Sequence, residues 1–107
     1  MKVFISQPMN GQGRMNIEIR RSALIEEIKK ILGEDIEIID SIQDTKDKSP
    51  LECLSESIRL LATADVVYFD TFWEKARGCR IEHECAVEYG KMIIDDSQGC
   101  WMQWRKL

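Results

Sequence analysis

The chain has 107 residues, 44% of them hydrophobic and 32% charged, with a formal net charge of -4 at pH 7. That length supports one domain around a single core, spanning residues 1–107, and the composition is globular rather than disordered. The acidic balance argues against a nucleic-acid polymer as partner. No apolar run approaches the roughly 20 residues of a membrane span, so no membrane partner is expected, and the N-terminus MKVFISQPMN lacks a signal-peptide pattern.

The cysteines, Cys53, Cys79, Cys85 and Cys100, show no CxxC spacing, which reads as reduced thiols in a cytoplasmic protein. Cys79 and His83 are spaced to share a helical face. A structural zinc site needs about four ligands, however, and no second pair stands elsewhere, so neither metal nor cofactor is expected.

In chain order, Lys2 to Ser6 (KVFIS) is a short β-branched and aromatic strand, followed by the loop Gln7 to Gly13. From about Met15 to Leu32, Ile17, Arg21, Leu24, Ile28 and Ile31/Leu32 recur at helical spacing, with Gly33 as C-cap. Arg20 and Arg21 divide between a surface face and the inner edge of this helix. Ile36 to Ile39 predicts a second strand, and Ser41 to Lys48 a charged loop. Ser49-Pro50-Leu51-Glu52 is a capping box with proline at the first helical position, opening a helix with Leu51, Leu54, Ile58 and Leu61 on one face.

Val66 to Phe69 (VVYF) has no polar alternation, as in a strand covered on both sides. Gly78 opens a third helix running to about Tyr89, Met92 to Ile94 is a brief fourth strand, and the tail from Asp95 to Leu107 holds Trp101 and Trp104. The alternation predicts an α/β fold: a parallel sheet with right-handed crossovers and helices on both faces. Ligands of such sheets bind beyond the carboxyl ends of the strands, which points to Gln7–Gly13, the start of the 40s loop and Asp70–Gly78.

On a helical wheel for the third helix, Ile81, Cys85, Ala86 and Tyr89 cluster on the arc expected to face the sheet, and Glu82 lies inside it. Glu82 is thus a carboxylate in the first turn of the helix, on the packed side, at the ligand-binding edge. The helix dipole favours its charged form and burial opposes it. Asp70 ends the third strand, Trp73 has a face for stacking, Arg77 stands by a helix N-terminus where an anion would sit, and Gly11 permits close backbone approach.

Three segments together, FISQPMNG, ADVVYFD and ARGCRIEHECAVEYGK, resemble the nucleoside 2-deoxyribosyltransferase-like family, most closely its short bacterial and phage branch. The likeness spans about residues 2 to 94. Its strongest motif is Gly-x-x-x-Glu followed by small residues and Gly-Lys, here Gly78, Glu82, Ala86 and Gly90-Lys91.

The resemblance implies a Rossmann-like or flavodoxin-like α/β domain with a parallel sheet of four to five strands. It also implies that Glu82 attacks the anomeric carbon of a 2'-deoxynucleoside or its 5'-monophosphate, with transfer to another base or hydrolysis. Two displacements would retain configuration. Asp70, with Glu74 behind it, is the candidate acid for the departing base. Gln7, Pro8, Met9, Asn10, Gly11, Trp73, Arg77 and Gly78 are the candidate substrate contacts. The resemblance also implies a homo-oligomer in which a neighbouring subunit completes the pocket, with Trp101, Met102 and Trp104 forming a short strand or covering that interface. Ala76 departs from the deoxyribosyltransferases, which carry aspartate there, and Arg77 suits a 5'-phosphate. The alternative reading is a module on the same fold that binds a nucleotide-derived ligand without turning it over.

Overall fold

The computed structural model describes residues 1–95 and the backbone of 101–104. Its elements are β1 (Lys2–Ser6), α1 (Arg14–Leu32), β2 (Glu37–Ile38), α2 (Pro50–Leu61), β3 (Val66–Phe69), a 3-10 turn (Trp73–Lys75), α3 (Arg77–Glu88), β4 (Met92–Asp95) and β5 (Trp101–Trp104). The strands form one sheet in the order β2-β1-β3-β4-β5. The first four are parallel, and β5 runs antiparallel to β4. This is an α/β fold with a Rossmann-like or flavodoxin-like sheet. Among the described residues, no helix is long and apolar enough to cross a membrane.

Side-chain alternation on the strands divides the core into two layers. Val3, Ile5, Val66, Tyr68 and Ile94 pack with Leu24 and Ile28 of α1 on one face of the sheet. Phe4, Val67, Phe69 and Ile93 pack with Leu61 of α2 and Ala86 of α3 on the other. Helices therefore cover both faces, and β3 is buried along its whole length. The Ser49 capping box is present, its hydroxyl accepting from Glu52 N while the Glu52 carboxylate accepts from Ser49 N.

Four details differ from the sequence reading. β2 is reduced to two residues at the sheet edge. Leu51, expected on the apolar face of α2, lies in the first turn and is 74% exposed; the helix buries Leu61 at its other end. The inward arc of α3 is Cys79, Glu82 and Ala86, whereas Ile81 and Tyr89 face outward, Tyr89 at 81% exposure. The wheel placed Glu82 correctly but centred the arc on the larger apolar residues, and the space above β3 and β4 accepts smaller ones. Finally, the loop after β3 contains the 3-10 turn, entered through Phe72 in the left-handed region (φ 66, ψ 20). The expected interface role of Trp101, Met102 and Trp104 concerns side chains outside the described residues.

Candidate functional site

The chain adds β2 on one side of β1 and β3 on the other, so the carboxyl ends of β1 and β3 form the switch point at which open α/β sheets bind ligands. Ser6 ends β1, and Asp70 directly follows β3. The two strand ends are tied by Asp70 N donating to Ser6 O at 3.0 Å.

The Ser6 hydroxyl turns toward α3 and donates to Oε1 of Glu82 at 2.6 Å. Glu82 is only 7% exposed. Burial pushes its carboxyl up to about 7, while the hydroxyls of Ser6 and of Ser57 on α2 pull the other way. A carboxyl held near neutrality exchanges its proton at working pH and leaves a poorly hydrated carboxylate when it does so. Because α3 begins at Arg77, Glu82 stands in the second turn rather than the expected first, beyond the amides where a helix dipole acts most strongly. Its charged form is therefore supported by two serines from neighbouring elements.

Ser57 continues the network outward, accepting from Gln43 Nε2 at 3.1 Å, and Gln43 Oε1 accepts from Lys48 Nζ at the same distance. The 40s loop thus reaches the buried carboxylate through Gln43 and Ser57. Cys79, one turn before Glu82, is a buried thiol pushed up to about 11, by burial first and further by the charges of Glu82 and Asp70.

Asp70 opens onto a cleft of about 490 Å³ lined by Pro8, Gln12, Arg20, Asp70, Thr71 and Phe72. Both of its carboxylate oxygens accept from Arg20, at 3.1 Å from Nε and 2.6 Å from Nη2, and Oδ1 also accepts from Thr71 N at 2.7 Å. The Arg20 guanidinium is raised above its usual range, chiefly by this pairing, and its side chain remains 43% exposed at the cleft. Arg21, the next residue, is buried and donates to Ile39 O and the Ser41 hydroxyl. The two arginines divide between surface and interior as the sequence predicts.

The remaining candidates are scattered around this centre. Pro8 lines the cleft, Met9 is half-buried, and Asn10 and Gly11 are exposed. Gln7 is buried and anchors the loop to α1 through Nε2 to Ile17 O at 2.9 Å. Arg77 is exposed, outside the cleft lining. Gly78 sits in the first turn of α3, where an added Cβ would meet nothing within 4 Å, so packing within the chain does not demand glycine there. No side chain among the described residues caps this helix at Ala76.

Trp73 is a support for the core edge. Its indole donates to Asp95 Oδ1 at 2.9 Å, stacks on His83 with ring centroids 4.0 Å apart, and tilts against Phe69. The residues that sequence reasoning missed are Ser6, Ser57, Gln43 and Phe72. Ser6 carried a signal, a hydroxyl closing an otherwise apolar buried strand at the ligand edge. The others depend on loop and interhelix geometry that periodicity does not encode.

Among the described residues, no three His, Cys, Asp or Glu side chains converge as metal ligands. No curated protein and no solved structure shows significant similarity to the chain. A family model described as "Domain of unknown function (DUF4406)" matches residues 1–95, and the chain belongs to that family.

Proposed function

We propose that the protein cleaves or transfers at the N-glycosidic bond of a 2'-deoxynucleoside or its 5'-monophosphate, with Glu82 as nucleophile. The observation that carries this reading is the environment of Glu82: buried, held near neutrality and hydrogen-bonded by Ser6 beside the β1/β3 switch point. The resemblance to nucleoside 2-deoxyribosyltransferase-like proteins supports it, since their signature glutamate falls on this residue.

In the reaction, an ionised Glu82 oxygen forms a bond to the anomeric carbon as the bond to the base breaks and its electron pair leaves with the base. Water or a second base then displaces Glu82 from the same carbon, regenerating the carboxylate and retaining configuration overall; the departing base takes up one proton from solvent and the acceptor returns one to it. Asp70 was the expected acid for the departing base. Both of its oxygens are engaged in the Arg20 fork. Its role in this reading is to aim Arg20 at the substrate. The substrate is a small molecule, and the site is a pocket of a cytoplasmic homo-oligomer.

One observation favours the second reading, a module that binds a nucleotide-derived ligand without turnover. Glu82 is not among the residues lining the cleft at Asp70, so attack requires that cleft to open inward past Ser6 and Cys79. Chromatographic detection of free base, comparing the wild type with Glu82→Gln, separates the two readings.

A further inference from the structure

We infer that the Phe72 ring is the platform on which the planar group of the ligand stacks. The inference rests on the reading of the cleft as a nucleoside site, and it assigns base recognition to a residue that the family resemblance does not mark.

Phe72 carries two features that the packing of the chain does not reward. Its backbone is left-handed at φ 66, a region that bulky side chains rarely adopt and that glycine or asparagine would enter with less strain. The residue is 59% exposed, forgoing the burial that normally stabilises a phenylalanine. The contact it makes is with the ammonium of Lys75, 5.1 Å from the ring centroid and itself on an exposed residue. A strained backbone holding an aromatic ring out in water is a feature that clusters at ligand sites.

Position agrees with this. Phe72 lines the cleft with Pro8, Gln12, Arg20, Asp70 and Thr71, so a ligand held by Arg20 lies within reach of it. The neighbouring Trp73 is committed elsewhere, one face to His83 and its indole N–H to Asp95. Stacking on a ring face tolerates any base, since every base has a π-face.

The test measures binding by calorimetry on the Glu82→Gln protein, so that no ligand is consumed. The probes are the 2'-deoxynucleoside 5'-monophosphates of the four common bases, and 2-deoxyribose 5-phosphate, which lacks a base. Phe72→Gly is expected to weaken the nucleotides about tenfold or more while leaving the sugar phosphate unchanged, and Phe72→Tyr to restore them. Because Gly relieves the left-handed backbone, the melting temperature should not fall; Phe72→Asn, which also tolerates that conformation, provides a second ring-free variant. Nucleotides bound as tightly by both ring-free variants as by the parent overturn the stacking role and leave the proposed function standing. No nucleotide binding by the parent overturns both.

Discussion

The hydroxyl of Ser6, at the carboxyl end of β1, donates to Oε1 of Glu82 at 2.6 Å, and the two residues are 76 positions apart in the chain. The contact joins the centre of the sheet to the second turn of α3. Ser6 also links the two candidate carboxylate residues, because its backbone carbonyl receives the amide of Asp70. Of the groups around Glu82, Ser6 opposes burial most strongly and keeps the carboxyl from rising further above about 7.

Ser6→Ala removes that donor. A hydrogen bond to a charged group contributes about 1.5–3 kcal/mol, so the carboxyl of Glu82 should rise by roughly one unit or more. The expected outcome is an acidic limb of the kcat/KM profile moved to higher pH by about that amount, with turnover at pH 7 reduced several-fold. An unmoved limb would remove Ser6 from the account.

Glu82 also makes stability depend on pH. Its folded-state value of about 7 lies above the ordinary 4.5, so the fold holds the proton more tightly than the unfolded chain does. The resulting stabilisation is complete below about pH 4.5 and is lost as pH rises through 7, a swing on the order of 3 kcal/mol. Glu82→Gln stays neutral and still accepts from Ser6, so it escapes that loss. Thermal unfolding should show the variant gaining on the wild type by several degrees between pH 5 and pH 8. A constant offset between the two proteins across that range contradicts the buried, near-neutral carboxyl.

The Arg20–Asp70 fork makes a separable prediction. If Asp70 acts by aiming Arg20, then Asp70→Asn and Arg20→Gln should each raise KM by about tenfold, and the double variant should add little to either. A loss of kcat in Asp70→Asn that Arg20→Gln does not share would return Asp70 to the role of acid.

Much of this architecture was legible in the sequence, and the reasons are local. β3 announced itself through four successive apolar residues, α2 through the Ser49 capping box, and α1 through Ile17, Arg21, Leu24 and Ile28. Glu82 stood out as a carboxylate inside an inward arc. What could not be read was the pairing across distance. Nothing in the local pattern says that Ser6 reaches Glu82, that Arg20 clamps Asp70, or that His83 stacks on Trp73. Trp73 and Phe72 show this most clearly: adjacent aromatics in sequence, one turned into the core edge and the other out to the cleft by a single left-handed residue.

Trp73→Ala is accordingly a stability variant. Losing the stack on His83, the contact with Phe69 and the hydrogen bond to Asp95 should cost about 2–4 kcal/mol, and the melting temperature should drop by at least several degrees. Ligand affinity, measured below the transition, should change little. A stable variant with lost affinity would restore Trp73 as a substrate contact.

The most direct test of the central claim is chromatographic detection of free base. The pure protein is incubated with each 2'-deoxynucleoside and its 5'-monophosphate, with and without an acceptor base, beside Glu82→Gln. The account predicts base released or exchanged by the wild type and not by Glu82→Gln, with the product retaining its configuration at the anomeric carbon. Base released equally by both proteins, or by neither while a nucleotide still raises the melting temperature, would contradict Glu82 as the nucleophile.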